Sequence, residues 1–220
     1  MEVDTGQRRA RKKRQTRAAL VRAALELFDA KGYEHTAVRE ITDAVDVSER
    51  TFFRYFASKE DLALSFARDW TDAMLAMLRE RPASEDPLAA MRGAFRESVL
   101  AEAALDAGDA EDGEGADGVP TYLLVTRLID STPSLLARHL RYLHDRDDEI
   151  VGVLAAREGV DPAADLRPRI LAAVFGSLIF LANRAWRTEG STSVEDMVAA
   201  FDAHADQFTP DLFGHWTARP

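Results

Sequence analysis

The stretch Thr36-Ala-Val-Arg-Glu-Ile-Thr-Asp-Ala-Val-Asp-Val-Ser-Glu-Arg-Thr-Phe-Phe-Arg-Tyr-Phe-Ala-Ser-Lys-Glu-Asp-Leu62 reads as two short helices joined by a tight turn, then the start of a third. Val38, Ile41 and Val45 fall at i, i+3 and i+7, one face of a helix. Asp46 and Val47 interrupt it, and Ser48 is a good N-cap for the next helix. There Phe52 and Phe56 repeat at i+4, while Arg50, Thr51, Arg54 and Tyr55 point elsewhere. A short helix with an apolar inner face and an outer face of Arg, Thr and Tyr, set across a tight turn from its partner, suits the DNA major groove.

The charge distribution agrees with that ligand class once it is partitioned. The 220-residue chain carries a net charge of −10. Residues 1–60 hold 13 Lys and Arg against 10 Asp and Glu, or +3, and the rest hold 15 against 28, or −13. Arg8, Arg9, Arg11, Lys12, Lys13, Arg14 and Arg17 lie together with no acid among them. Such a run binds phosphates or enters a minor groove, or else is a solvated tail; its place just before a helix-turn-helix favours DNA contact.

Working outward, the first helix spans about Thr16 to Lys31. It carries an apolar stripe of Leu20, Ala23, Ala24, Leu27 and Phe28, and Gly32 ends it. Ser58 caps the fourth helix with Asp61 three residues on, and that helix continues through Leu62, Phe66, Trp70, Met74 and Met77 to about Arg81. Asp86-Pro87 opens the fifth helix, bearing Leu88, Met91, Phe95, Val99 and Leu100. The sixth covers about Pro120 to Asp130, and the seventh runs unbroken from Pro133 to about Arg157, closed by Gly159. The eighth, about Leu166 to Thr188, is apolar nearly all round. The ninth, Val194 to Phe208, is capped by Ser193 with Asp196 at N3. The expected fold class is therefore all-α, with about nine helices. A DNA-binding head over residues 1–60 is followed by a helical effector-binding and dimerisation domain over 61–220.

Between the fifth and sixth helices, residues 106–118 hold six acids and four glycines with no bulky apolar side chain. That composition predicts a disordered loop. Its spacing does not match a calcium-binding EF-hand loop.

The anchored residues of the first quarter resemble the N-terminal domain of the TetR family, the tetracycline-repressor-like regulators. They are Thr16-Arg17, Ala23-Ala24-Leu25-Glu26-Leu27-Phe28, Gly32-Tyr33, Thr36, Ile41-Thr42, Asp46-Val47-Ser48, Thr51-Phe52-Phe53-Arg54-Tyr55-Phe56 and Ser58-Lys59-Glu60. The segment Arg50–Phe56 is similar to one actinobacterial branch, some of whose members bind acyl thioesters. Three positions depart from the family pattern. Asp46 stands where the turn usually has Gly, Thr42 where Ala is usual, and Phe53 where the recognition helix usually carries Tyr.

The resemblance implies a homodimeric transcriptional regulator, a repressor released by a small hydrophobic ligand, acting on a palindromic double-stranded operator. It implies that Thr36, Tyr55 and Lys59 hold phosphates. Arg50, Thr51 and Arg54 face base edges or the adjoining backbone, Ser48 caps the reading helix, and Arg11, Lys12, Lys13 and Arg14 add the basic arm; Phe53 counts among the DNA-binding residues but has no hydroxyl to give a phosphate. The apolar surplus of helices eight and nine suits a four-helix dimer interface. Trp70, Met74, Met77, Phe95, Tyr122, Phe175 and Asn183 are candidates for an effector pocket, although at helical spacing such residues also build plain cores. Asn183, in an apolar stretch, either hydrogen-bonds an effector or has a role in the dimer contact or the core, where buried polar groups often set register.

Other chemistries are absent from the sequence. There is no cysteine, so disulfides and thiolate metal sites are excluded. No phosphate-binding glycine loop, zinc helix or nucleophile elbow occurs, and His139 and His144, five apart, do not share a helix face. No cofactor or metal is expected. The charged N-terminus has no secretory h-region, and the longest apolar run, 13 residues from Ile170 to Ala182, is shorter than a membrane span. The location expected is cytoplasmic. The rival readings are an all-α enzyme acting on a lipid or thioester, and an effector-independent activator or architectural DNA-binding protein.

Overall fold

The computed structural model describes residues 2–108, 120–191 and 193–207; the acidic stretch from 109 onward and Phe208 lie outside the described residues. Ten helices and no strand appear among them: α1 Glu2–Lys31, α2 Val38–Ala44, α3 Glu49–Tyr55, α4 Lys59–Glu80, α5 Pro87–Gly108, α6 Thr121–Ser131, α7 Pro133–Asp145, α8 Asp147–Glu158, α9 Arg167–Glu189 and α10 Val194–Ala205.

Local chemistry explains several helix ends. The Ser58 hydroxyl accepts from the Asp61 N–H at 3.0 Å, and the Asp61 carboxylate accepts from the Ala57 N–H at 2.9 Å, so α4 starts with two backbone donors satisfied. Asp86 accepts from Ala89 N–H at 2.9 Å before Pro87. Ser193 accepts from Glu195 and Asp196 at the head of α10. Gly159, at φ 64°, closes α8 in the left-handed conformation that L-residues resist.

Two expectations change. The basic run does not precede the first helix but belongs to it, because α1 begins at Glu2 rather than at about Thr16. The seventh helix is broken: α7 ends at Asp145 and α8 begins at Asp147, with Arg146 between them. Arg146 donates to the Tyr142 hydroxyl at 2.7 Å and pairs with Asp72 and Glu149. Of these only Asp72 is distant in sequence; the Arg146 backbone itself, at φ −101° and ψ 0°, lies off the helical values.

The chain divides into two compact units, residues 1–68 with 124–137, and residues 69–123 with 138–220. The first extends beyond the head expected at residue 60. Its core joins Leu20, Ala24, Leu25, Phe28, Ile41, Phe52, Phe56 and Leu62 to Val125, Leu128, Ile129 and Leu135 from α6 and α7. Nothing in the periodicity of α6 says which core it completes. In the second unit Phe95, Phe175 and Phe201 form an aromatic centre, with ring centroids 4.4–6.1 Å apart. Arg92 of α5 is bound to Asp202 at 3.0 Å and Asp206 at 2.7 Å.

Within α9, Arg167–Thr188 is long and apolar enough by length and composition to cross a membrane, with a mean hydropathy of 1.3 over its best window. That mean is carried by the same 13-residue run, Ile170 to Ala182, and the polar ends of the window only dilute it. One such helix also describes a core or interface helix, and a third of that window is already buried within the chain.

Candidate nucleic-acid interface

The helix-turn-helix is built as its sequence requires. Ser48 caps α3, accepting from the Thr51 N–H at 3.2 Å. Asp46, in the turn before it, has φ 52°, the one positive-φ non-glycine among the described residues. Asp tolerates this conformation through local hydrogen bonding better than most residues, so it takes the place of a turn glycine. Phe52 and Phe56 are sealed at 0% and 2% exposure, with ring centroids 5.6 Å apart. The opposite face of α3 presents Glu49, Arg50, Phe53 and Arg54 to solvent, while Thr51 and Tyr55 are half-buried at its margin. The Arg54 guanidinium leans on the Tyr55 ring at 5.1 Å. No carboxylate among the described residues pairs with Arg50 or Arg54, so both charges remain available to an anion.

Arg11, Lys12, Lys13 and Arg14 are all exposed on α1. On a helix, like charges three and four apart repel, and a row of phosphates relieves that repulsion. Arg17 behaves differently: its guanidinium lies 5.4 Å from the centre of the Phe56 ring and covers the core.

Thr36 and Lys59 meet a geometry that the sequence does not suggest. The Thr36 side chain is buried, and its hydroxyl donates to the Gly32 carbonyl at 2.9 Å. The Lys59 ammonium donates to the carbonyls of Tyr33 at 2.6 Å and Thr36 at 2.9 Å, and sits 4.2 Å from the centre of the Tyr33 ring. Both residues are turned toward the α1–α2 loop. Glu40 completes this corner: its carboxylate accepts from the Ala37 N–H at 2.8 Å and pairs with Lys31. The Lys31 hydrogen bond, foremost, holds the Glu40 carboxyl below its ordinary range. Lys59 and the Lys31–Glu40 pair thus hold the α1–α2 loop separately, and spacing alone does not reveal the first, since Lys59 and Tyr33 are 26 residues apart.

In the second unit the candidate effector residues separate. Trp70, Phe95, Tyr122 and Phe175 come together: Trp70 lies 5.1 Å from Tyr122 and 5.8 Å from Phe95, and Phe95 lies 6.1 Å from Phe175. Phe201 of α10 belongs to the same cluster, 4.4 Å from Phe95; its i+4 spacing from Met197 was the available signal. Met74 and Asn183 are buried, and Met77 is half-buried. The indole N–H of Trp70 and the side-chain oxygen of Asn183 are both buried without a hydrogen-bond partner.

A cleft of about 700 Å³ lies elsewhere in this unit, lined by Arg79, Arg81, Val153, Ala156 and Arg157. Its arginines are already engaged, Arg79 by Glu149 at 3.1 Å, Arg81 by Glu85 at 2.7 Å, and Arg157 by the Arg81 carbonyl at 2.8 Å. No cluster of three metal-ligating side chains occurs among the described residues.

Comparison with known proteins agrees with this geometry. Residues 20–66 match the family model described as bacterial regulatory proteins, tetR family, and residues 85–209 match the MftR C-terminal domain. The chain is 45% identical over 210 residues to the HTH-type transcriptional regulator TcmR of Streptomyces glaucescens, covering 94% of this chain and 89% of that one. The fold is similar to that of a transcriptional regulator (TerR/AcrR family) from Aquifex aeolicus VF5. The TM-score is 0.52 at 17% identity, over 87% of this chain and 96% of that one.

Proposed function

The chain belongs to the TetR family of bacterial regulatory proteins, and on that premise we infer that it is a DNA-binding transcriptional regulator, a ligand-responsive repressor rather than an enzyme. The observation that carries this is the outer face of α3, where Arg50 and Arg54 stand exposed over the sealed Phe52 and Phe56. In our reading residues 1–60 bind DNA and residues 61–220 dimerise and sense. Arg50, Thr51, Arg54 and Tyr55 meet base edges and adjoining phosphates, and Arg11, Lys12, Lys13 and Arg14 add sequence-independent phosphate contacts. Such a protein works in the cytoplasm, on the chromosome.

The reading includes a homodimer through α9 and α10. Leu166, Ile170, Phe180 and Leu181 are 64%, 48%, 50% and 42% exposed. At 100° per residue they share one stripe of α9 with Ala173, Ser177 and Arg184. A second copy laid against this stripe by two-fold symmetry covers it and pairs two recognition helices.

It also includes a small hydrophobic effector seated beside the aromatic residues of the second unit. The buried Trp70 N–H and Asn183 oxygen support a ligand that carries a few polar groups among apolar ones. The effector must favour the DNA-incompetent state, since equal affinity for both states shifts nothing.

Binding by Arg50→Ala and Arg54→Ala variants to operator and to random duplex tests the function. A base-reading arginine discriminates by roughly 1–3 kcal/mol, so its loss lowers operator affinity far more than random affinity. Wild-type affinities that do not differ between operator and random DNA would refute sequence-specific regulation.

A further inference from the structure

Phe53 is the one large apolar side chain of the first unit that stands exposed among the residues whose burial is described, at 54%. It sits on the outer face of α3, three residues after Arg50 and beside Arg54. Its ring meets the sealed Phe52 ring edge-on, with centroids 5.2 Å apart and planes at 82°. A phenyl neither donates nor accepts a hydrogen bond, so a phosphate oxygen or a base N–H is not its complement. The floor of the major groove offers one apolar group, the C5 methyl of thymine. The flanking arginines draw the polyanion to this face, which argues for DNA over a protein surface as the occupant.

We propose that Phe53 reads a thymine through its C5 methyl at one position of each half-site. This rests on α3 being the reading helix. It makes Phe53 a residue that fixes specificity, where a hydroxyl-bearing side chain would only anchor a phosphate. The arginines supply attraction and their own base contacts; the phenyl adds discrimination at a position where neither has an apolar surface to offer.

The experiment uses the full chain and a duplex selected from a random pool. Each thymine in turn is replaced by deoxyuridine, which removes the methyl and leaves the pairing intact. Affinities are measured for the wild type, Phe53→Ala and Phe53→Leu. One buried methyl corresponds to about fourfold in affinity, so the wild type is expected to lose about fourfold at one thymine per half-site. Phe53→Ala is expected to be indifferent to the same replacement, and Phe53→Leu to retain part of the effect. Because the side chain is exposed, both variants keep the Phe52–Phe56 core, which helicity checks. The proposal is overturned if no thymine methyl matters to the wild type, or if Phe53→Ala keeps the full loss. It is also overturned if Phe53→Ala weakens operator and random DNA equally, which places the ring against the sugar backbone. If Arg50→Ala and Arg54→Ala also leave operator preference unchanged, the reading of α3 itself fails; if they abolish it while the methyl has no effect, only the role of Phe53 fails.

Discussion

The Lys59 ammonium donates to the Tyr33 carbonyl oxygen at 2.6 Å while resting 4.2 Å from the centre of the same residue's ring. A second bond, to the Thr36 carbonyl at 2.9 Å, ties the first residue of α4 to the loop that ends α1 and opens α2. Both carbonyls lie in the loop, outside α1 and α2, where no helical ladder pairs them.

Replacing Lys59 by Met is therefore expected to loosen that loop. Hydrogen bonds from a charged donor contribute about 1.5–3 kcal/mol, and a loss of that order should show in thermal unfolding. Operator affinity should fall more than affinity for random DNA, because the loop sets where α2 and α3 stand. Equal losses on both DNAs, with the slope of log K against log salt reduced by about 0.9, would make Lys59 a phosphate contact instead.

Asp46 holds a left-handed backbone at φ 52°. For a residue without Asp's local hydrogen bonding this conformation costs roughly 1–2 kcal/mol. Asp46→Val should lower the melting temperature by several degrees, and Asp46→Gly should stay near the wild type. Equal melting for all three would mean that the turn is not strained.

The helix-turn-helix was legible because its signals are local: a cap at Ser48, phenylalanines at i+4, a turn at Asp46. What was not legible depends on contacts distant in sequence. Arg146 stands between α7 and α8 and reaches Asp72 on α4, while the apolar pattern runs straight across the break. Leu128 and Leu135 complete the core around Phe52 although 76 and 83 residues separate them from it, and hydrophobic period says only that they are buried, not where. Thr36 and Lys59 carry family positions for DNA contact, yet the nearest carbonyls claim both side chains. The exposure of Arg50, Arg54 and the basic run at Arg11–Arg14 followed from the sequence because charge without a partner in the chain stays in water.

Removing residues 1–14 takes away six basic side chains, four of them seen exposed along α1 between Arg11 and Arg14. Each phosphate contact contributes about 0.9 to the slope of log K against log salt, so the slope should flatten by up to about 5. Preference for operator over random DNA should persist. A salt titration with an unchanged slope would leave this end of α1 with no part in binding.

Phe180→Glu places a charge in the middle of the exposed stripe of α9, where Phe180 is 50% exposed. The substitution should leave the folded chain intact, since the position is not in the core, and should shift the protein from two copies to one in sedimentation. Operator affinity should fall with it. A variant that stays dimeric would move the interface off this face.

The measurement that tests the account most directly is selection of bound duplex from a random pool, followed by the mass of the complex on the winning sequence. Two recognition helices related by two-fold symmetry require a palindrome whose half-site centres lie about one helical turn, or a multiple of it, apart. The predicted result is an enriched palindrome carrying an even number of chains. A single chain on an asymmetric site, or no enrichment at all, would contradict it.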